Sequence, residues 1–305
     1  MKNEYLNRFF LMVFLATVLV YLIGTIRPQP ISSVIQKEKF WADKTHSDGK
    51  YNIIFSGDSR LYRGIDTKTV SEAVSGLKVL NFGYSSGGHN PLIFKEVYDR
   101  LDKNAEIKVV ALVLTPYSLT PKAQENSHFS QEKKRDEKEV FKRRYINPFL
   151  DFFDPIKPMD ILEPKSNRAR GYHERFRKGG WVESRKVPSD PKSGLKVYQK
   201  DFEGNIVERE ILEGIYHQTL EWRKQGIKVF GFRIPTTQDM EALENDLSGY
   251  DEAQIRMAFE KAGGEWIAIS DKYGYTSYDG SHLEGKSAKR FSAFIGSEIQ
   301  SRLDN

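Results

Sequence analysis

The sequence predicts an α/β fold in which helices cover both faces of a doubly wound, mostly parallel sheet. Short β-branched and aromatic runs alternate with amphipathic helical stretches at the spacing of βαβ units. Glycine or polar residues follow the ends of those runs, where strands give way to loops. The chain has 305 residues, of which 39% are hydrophobic, which is enough for one sizeable packed domain. We therefore expect three layers, α/β/α, with the sheet in the middle.

The regular pattern begins at residue 51 and is interrupted once. Its first part predicts strands over 51–55, 77–82 and 107–114, a helix over 65–75 and another after Pro91. Its second part predicts a helix over 208–224, strands over 227–234 and 265–269, and helices over 240–247, 251–262 and 284–302. Between about 120 and 204, charged residues, prolines and aromatics replace the pattern. We predict one domain over 51–305 that carries a long charged insertion.

The N-terminus predicts a single membrane anchor. An apolar run from Phe9 to Ile26 is just long enough, at about 1.5 Å per residue, to cross a hydrocarbon core of roughly 30 Å. A cleaved signal peptide shares this pattern, but no small-x-small cleavage pattern follows the run. Basic residues before the run predict that residues 1–8 are cytoplasmic. Residues 27–50 then read as a tether, and the domain is expected outside the cell membrane, in the periplasm or at the cell surface.

Composition excludes some chemistry and leaves several partners open. The chain has no cysteine, so thiol catalysis, cysteine-ligated zinc and disulfides are excluded. A net charge of +5 and a pI near 9.0 favour an acidic partner, such as an anionic membrane surface, an acidic glycan or nucleic acid. The predicted external location argues against nucleic acid.

Two short motifs at opposite ends of the domain supply candidate catalytic residues. Gly57-Asp58-Ser59 follows the first predicted strand, and Asp279-x-x-His282 precedes the final helix. Serine, histidine and aspartate are the residue types required for a nucleophile, its general base and the group that orients that base. The carboxyl ends of parallel strands share one rim, so both motifs are expected there. The competing interpretation is that Ser59 or Asp58 caps a helix and His282 is an ordinary surface histidine.

These motifs, with a glycine after the second strand, resemble the SGNH (GDSL-type) hydrolase superfamily. The resemblance covers residues from about 52 to the end, apart from the insertion, and it implies a flavodoxin-like sheet. Together with the predicted anchor, it extends to the membrane-tethered branch that includes alginate O-acetylation proteins and the D-alanyl-teichoic acid protein. It implies no cofactor and no metal. It also implies an acylated polysaccharide or cell-wall polymer as substrate and, by analogy, a membrane-bound O-acyltransferase as partner.

The resemblance also implies a role for each motif residue. Ser59 would be the nucleophile, His282 the general base and Asp279 the residue that orients His282. The backbone N–H groups of Ser59 and Gly83 would form the oxyanion hole. The superfamily uses an asparagine after the third strand as a further donor, but residues 115–118 read Thr-Pro-Tyr-Ser. Losing one such donor can cost about 2.7–4 kcal/mol of transition-state stabilisation.

Other polar residues on the predicted rim are candidates for substrate binding. Asn90, Ser118 or Tyr117 would be the substitutes for the missing asparagine donor, and Asn90 is also a candidate substrate ligand. Arg60 and Arg233 are placed on the rim, where a guanidinium binds carboxylate or phosphate in a bidentate fashion. The alternative for both arginines is a structural salt bridge with Asp58 or Asp279.

The insertion contains the strongest local charge. Residues 168–186 hold seven basic and two acidic residues interleaved with Tyr172, Phe176 and Trp181; the basic ones are Arg168, Arg170, Arg175, Arg177, Lys178, Arg185 and Lys186. Such a segment is suited to an acidic sugar chain or anionic lipid headgroups. The alternative is a solvated loop that folds over the active site.

The sequence thus predicts a membrane-anchored serine esterase or O-acyltransferase that acts on acyl esters, expected to be acetyl, of a cell-surface or exported polysaccharide. The alternative is a non-catalytic glycan-binding or scaffold subunit of a polysaccharide-modification complex. The missing asparagine favours the alternative, whereas the serine, histidine and aspartate favour the enzyme.

Overall fold

A five-stranded parallel sheet forms the centre of the domain. The computed structural model describes residues 2–26, 33–153 and 170–304. The sheet contains β1 (Ile53–Gly57), β2 (Val79–Gly83), β3 (Val109–Val113), β6 (Lys228–Phe232) and β7 (Glu265–Trp266), in the order β2-β1-β3-β6-β7. All pairings in it are parallel. The predicted α/β class with a parallel sheet is confirmed, and the strand order reverses direction between β1 and β3, where ligands bind in open sheets of this kind.

Helices make up most of the remaining structure. Those before the insertion are α1 (Lys2–Ile26), α2 (Val34–His46), α3 (Ser59–Gly64), α4 (Thr67–Ala73) and α5 (Pro91–Arg100). Those of the insertion are α6 (Pro121–Gln124), α7 (Ser127–Lys133), α8 (Glu137–Phe141), α9 (Asn147–Phe153) and α10 (Leu195–Asp201). Those of the second half are α11 (Arg209–Lys224), α12 (Gln238–Ser248), α13 (Glu252–Lys261) and α14 (Gly285–Leu303).

Alternation along each strand divides the core into two clusters, one on each face of the sheet. On one face, Ile53 and Phe55 of β1 pack with α3, α4 and α14, whose contribution includes Phe291. On the other face, Ile54 of β1 packs with α5, α11 and α13, whose contribution includes Trp222. Because every residue of β1 is buried, the strand is covered on both sides, as parallel strands usually are.

The insertion contains a β-hairpin that is fixed to the domain. Antiparallel strands β4 (Gly171–Phe176) and β5 (Val182–Val187) form it, and Trp181 beside its tip is buried in the core. Gly180 at the tip has a φ of 96°, and a Cβ there would lie 2.2 Å from the carbonyl oxygen of Asn81. Lys44 donates a hydrogen bond of 3.1 Å to the Gly180 carbonyl. The hairpin is therefore packed structure, unlike the solvated loop that was the alternative expectation; Arg168 lies outside the described residues.

The range predicted to be a tether differs from the structure in its second part. Residues 27–32 lie outside the described residues, but α2 occupies 34–46 and begins at the N-cap Ser33. Its Trp41 is 5% exposed and packs against Tyr62 and Tyr84 at ring-centroid distances of 5.4 and 5.5 Å. The sequence did not indicate this helix because most residues of α2 are polar and only one of its faces is apolar. The folded domain thus includes residues that the sequence assigned to a linker.

The N-terminal helix has the length and composition of a membrane span. Residues 4–23 of α1 form an apolar stretch none of which is buried within the chain. Its exposed side chains include Phe10, Met12 and Phe14. This helix is therefore long and apolar enough to cross a membrane.

Candidate active site

The candidate nucleophile lies where β1 turns into α3. Asp58 ends the strand as the N-cap of α3, and its carboxylate accepts a hydrogen bond of 2.9 Å from the Arg60 N–H. Ser59 is the first residue of the helix and is half-buried. The capping interpretation therefore holds for Asp58, and it leaves the Ser59 hydroxyl free for another partner.

That partner is His282. The Ser59 Oγ lies 2.9 Å from His282 Nε2, and His282 Nδ1 lies 2.8 Å from Asp279 Oδ2. Ser59 and His282 are 223 positions apart in the sequence, so only the folded sheet brings them together. A hydroxyl, an imidazole and a carboxylate are thus joined in series, with the two ring nitrogens engaged on opposite sides. This arrangement can carry a proton away from a serine hydroxyl.

The loop that carries Asp279 and His282 is held by its own hydrogen bonds. Asp279 Oδ1 accepts from the N–H groups of Ser281 and His282 at 2.9 and 2.8 Å, so the same carboxylate orients both the backbone and the imidazole. Ser277 closes the turn, donating to the His282 carbonyl at 2.8 Å. Tyr278 stacks on the His282 ring with an interplanar angle of 12°. The imidazole is therefore fixed before any substrate arrives.

Burial and nearby charges keep the imidazole neutral. Burial lowers the pKa of His282 from its usual 6.5, and the Arg63 guanidinium lowers it further, whereas the Asp279 carboxylate opposes both effects. Burial would raise the pKa of Asp279, but hydrogen bonds from His282 and from two backbone amides hold it well below the usual range. Near neutral pH, the pair consists of a neutral imidazole and an ionised carboxylate, which is the state that a general base requires.

Gly83 is not available as the oxyanion donor that the resemblance implies. Its N–H donates a hydrogen bond of 3.2 Å to the side-chain carbonyl of Asn81. Asn81 in turn donates to the carbonyls of Leu61 and Ile65 at 2.9 Å, which ties the end of α3 to the sheet. The Ser59 N–H, in contrast, belongs to the first turn of α3 and has no acceptor within the helix.

Asn90 and the loop after β3 are likewise committed elsewhere. Asn90 is the N-cap of α5: its oxygen accepts from the Ile93 N–H at 3.0 Å and its amide donates to the Gln124 carbonyl at 2.7 Å. It is therefore a structural cap, not the substrate ligand that we expected. Ser118 and Thr115 bond reciprocally to each other, and the Thr115 hydroxyl donates to Asp58. Ser118 therefore cannot serve as the missing donor either.

Arg60 and Arg233 form a buried ion-pair network instead of a substrate-binding surface. Arg60 is 1% exposed and binds the Glu244 carboxylate through both terminal nitrogens, while Arg233 donates to the same carboxylate at 2.9 Å. Arg60 Nε also donates to Ser281 Oγ at 2.8 Å. The salt-bridge interpretation is correct for both arginines, but the partner is Glu244 and not Asp58 or Asp279. Arg60 thereby connects α3 to the loop that carries His282.

Sequence reasoning missed Glu244, Tyr278 and Arg63. Glu244 lies within an ordinary amphipathic helix pattern, and nothing in the sequence distinguishes it from an exposed glutamate. Arg63 is four residues after Ser59, and this spacing places both on one face of α3, which was a signal available in advance. Across residues 2–26, 33–153 and 170–304, no group of three or more histidine, aspartate or glutamate residues is arranged to hold a metal ion.

Comparison with known proteins gives only distant likenesses. No protein-family model matches the sequence, and no curated protein matches it. One structure that resembles it is Est24, a carbohydrate acetylesterase from Sinorhizobium meliloti, with a TM-score of 0.40 and 11% identity; the match covers 82% of this chain and 98% of Est24. A carbohydrate acetylesterase family member from the same organism has a TM-score of 0.35 and 9% identity; the match covers 83% of this chain and 99% of that protein. A protein from Streptococcus pneumonia, provisionally described as a platelet activating factor, has a TM-score of 0.38 and 12% identity; the match covers 93% of this chain and 98% of that protein. At these scores, the likenesses do not assign a substrate.

Proposed function

We propose that this chain is a serine esterase or O-acyltransferase that acts on acyl esters of a carbohydrate polymer. The observation that carries the proposal is the hydrogen-bonded series Ser59–His282–Asp279, with distances of 2.9 and 2.8 Å. A serine hydroxyl that only capped a helix would not need an imidazole fixed against it by a carboxylate, here that of the half-buried Asp279. The polymer and the acetyl group follow from the resemblance to the SGNH superfamily.

The reaction proceeds through an acyl-serine. Ser59 Oγ attacks the ester carbonyl while His282 Nε2 takes its proton, and His282 then returns that proton to the departing sugar oxygen. Water or a second sugar hydroxyl next attacks the acyl-serine; His282 takes the proton of this nucleophile and returns it to Ser59 Oγ. Asp279 stabilises the imidazolium in both steps. Water as the second nucleophile gives hydrolysis, and a sugar hydroxyl gives acyl transfer.

The Ser59 N–H stabilises the oxyanion, and we assign a second donor to the loop after β2. Ser86 in that loop has a φ of 52°, and Gly87 next to it lies so close to β1 that a Cβ would meet the Gly57 carbonyl at 2.9 Å. The loop therefore passes directly over the end of the strand that presents Ser59. The N–H groups of Ser85, Gly87 and Gly88 already donate to His128, the Tyr84 carbonyl and Asn126. The amide that we assign is therefore that of Ser86, since amides in left-handed turns are suited to binding an anion.

The proposed location is the outer side of a cell membrane, with α1 as the anchor and the first eight residues in the cytoplasm. The support is a candidate span of 20 residues over 4–23, whose apolar run starts at Phe9 and is preceded by Lys2 and Arg8. A polymer-modifying enzyme held there would meet exported polysaccharide as it emerges. A membrane-bound O-acyltransferase that supplies acyl groups remains the partner that the resemblance implies.

Covalent labelling tests the nucleophile directly. A fluorophosphonate probe should modify Ser59 in the full chain in detergent, and peptide mass spectrometry should find the adduct on that residue. Ser59→Ala should remove all labelling, whereas Ser127→Ala, at an exposed serine, should leave it unchanged. A folded wild-type chain that resists the probe would favour the second candidate function, a non-catalytic glycan-binding subunit. That candidate draws its support from the engaged amide of Gly83 and the absent asparagine.

The pH dependence of activity should reflect the lowered pKa of His282. Only the neutral imidazole accepts a proton, so activity persists as pH falls until the pH passes through this pKa, which lies below 6.5. We expect kcat/KM for phenyl acetate to stay level from pH 8 to below 6.5 and then to fall about tenfold per pH unit. An acid limb centred above pH 6.5 would contradict the role assigned to burial and Arg63.

A further inference from the structure

Arg63 presents an incompletely paired guanidinium beside the candidate active site. It lies one turn after Ser59 on α3, and its charge acts on His282. Its Nε is buried without a hydrogen-bond partner. Among the described residues, its nearest carboxylate is Glu174, at 3.7 Å from the closest terminal nitrogen, which is beyond hydrogen-bonding distance. The side chain is 17% exposed, so its terminal nitrogens remain open to a ligand. The buried Nε–H without an acceptor is costly, and the distant ion pair leaves the guanidinium able to take further acceptors.

The surroundings hold this guanidinium in place but satisfy its charge and its donors only in part. It lies over the rings of Tyr62 and Tyr172, at 5.0 and 5.5 Å from their centroids. Tyr172 belongs to the hairpin strand β4 and donates a hydrogen bond of 2.8 Å to Glu174, which keeps that carboxylate engaged. Stacking on aromatic faces orients the planar fork but leaves its N–H donors directed outward in the ring plane. Arg60, by comparison, has its charge matched by Glu244.

We propose that Arg63 binds an anionic group of the substrate, a carboxylate or phosphate on the polymer next to the acyl ester. The proposal rests on the proposed function, because it places the anion on the unit whose ester reaches Ser59. A guanidinium fork binds two oxygens of a carboxylate or phosphate in a bidentate fashion, and hydrogen bonds to charged groups are the strong ones. The polymer would then be acidic, in agreement with the basic charge of the chain.

Binding to the Ser59→Ala variant tests this assignment without requiring turnover. Isothermal titration of the full chain in detergent would compare O-acetylated trigalacturonate, its uncharged methyl ester and an acetylated glycerol-phosphate trimer. We expect at least one anionic probe to bind about 10–100-fold tighter than the neutral probe, as charged hydrogen bonds allow. Adding Arg63→Gln should abolish that preference. The control Arg175→Gln changes an exposed arginine on hairpin strand β4, the strand that carries Tyr172 and Glu174, and should preserve the preference.

Two results would overturn the assignment. Equal affinity for charged and neutral probes would show that no anion is recognised, and an equal loss for all probes in Arg63→Gln would show a merely structural role. The carboxylate and phosphate arms distinguish the two anion sources. Failure of Ser59 labelling combined with Arg63-dependent binding would reject the esterase but keep the anion site, so the two proposals fail separately.

A second surface, in the insertion, has the character of a membrane-embedded segment. Residues 137–153 form one continuous helical segment in which α8 and α9 are joined by a π-helical stretch, Lys142–Ile146. Five of its large apolar side chains are exposed by 40–60%: Phe141, Tyr145, Ile146, Phe149 and Leu150. Scattered exposed apolar residues are normal, but such a concentration on one segment marks an interaction surface.

The anchor helix indicates what covers this surface. Pro148 and Phe149 line one cleft together with Val13, Thr17 and Val20, which lie in the middle and outer half of the apolar span of α1. A side chain at that level would lie in the hydrocarbon region when α1 crosses the bilayer. Exposed Lys142 on the same segment is suited to anionic headgroups above it, whereas Arg144 is paired with Asp43 at 2.9 Å.

We infer that α9 enters the outer leaflet beside α1, with lipid acyl chains as the occupant of this face. The inference rests on the proposed membrane location of α1. The domain would then be held at two points, which restricts its rotation about the anchor and keeps the active site at a constant orientation to the membrane.

The absence of cysteine allows a site-specific test. A nitroxide attached through Phe149→Cys, in the full chain reconstituted into phosphatidylcholine and phosphatidylglycerol vesicles, should be accessible to oxygen and protected from a water-soluble nickel complex. Val13→Cys provides the lipid reference and Val197→Cys, at a residue 57% exposed on α10, the water reference. Accessibility of position 149 to nickel would overturn the inference. Protection of position 149 from both oxygen and nickel would show that protein, and not lipid, covers this face. Accessibility of the Val13 label to nickel would show that α1 does not cross the membrane.

Discussion

Ser59→Ala should reduce kcat/KM for phenyl acetate by about 10⁴-fold or more. The substitution removes the atom that becomes acylated, and no neighbouring hydroxyl can replace it, because the Ser281 hydroxyl is already bonded to Tyr198 and Arg60. The fold should not change, since Ser59 is half-buried and Asp58 is the helix cap. Circular dichroism and the Tm of the full chain would confirm that.

Non-additivity provides the sharper test of the same machinery. His282→Ala should cost about as much as Ser59→Ala, and the double variant should be no slower than either single variant, because groups that act as one unit are lost together. Ser127→Ala should keep full activity. If the losses in the two single variants multiplied in the double variant, Ser59 and His282 would be acting independently, and the acyl-serine mechanism would be wrong.

Glu244→Ala should lower the free energy of unfolding by about 3–5 kcal/mol. The carboxylate is fully buried and binds both Arg60 and Arg233, so its removal leaves two buried guanidinium groups without their main counter-charge. Some carboxylates remain near Arg233, with Glu241 at 4.0 Å and Glu252 at 3.9 Å, but Arg60 has no comparable substitute. For a domain of this size the expected fall in Tm is on the order of 10 °C.

The same helix supplies the control for this experiment. Asp246 lies two residues further along α12 and is exposed, so Asp246→Ala should change stability by less than about 0.5 kcal/mol. Glu244→Ala should also reduce activity at temperatures where the protein is still folded, because Arg60 connects the network to Ser281 beside His282. A Tm for Glu244→Ala equal to that of Asp246→Ala would contradict the network.

Periodicity and turn chemistry predicted most of the sheet. Each predicted strand of the sheet overlaps an observed one, and the rim positions of Ser59, Asp279 and His282 follow from strands that run in parallel. The boundaries differ by a few residues: the first strand was predicted over 51–55 and lies over 53–57. The strand continues into the Gly57 turn because Gly57 pairs with Gly83.

The roles of individual polar side chains were much harder to predict. Whether Asn90 faces a substrate or caps α5 depends on which carbonyl lies beside it, and that carbonyl belongs to Gln124, a residue 34 positions away. The Gly83 amide was predicted to be free, but it donates a hydrogen bond to the side-chain oxygen of Asn81. For Asn90, the competing partner comes from a distant loop that the sequence could not place. For Gly83, the partner is only two residues away, and what the sequence did not contain was the direction of the Asn81 side chain.

Gly180 and Trp181 make the insertion inseparable from the α/β domain. The tip of the hairpin approaches β2 so closely that no side chain fits at Gly180, and the indole of Trp181 donates to the Arg63 carbonyl at 2.9 Å. Excising residues 120–204 would therefore open a tryptophan-sized hole in the core and release the end of α3. The region with the least regular sequence is therefore required for the packing of the domain. A shortened chain that kept only the βα repeats would not fold stably.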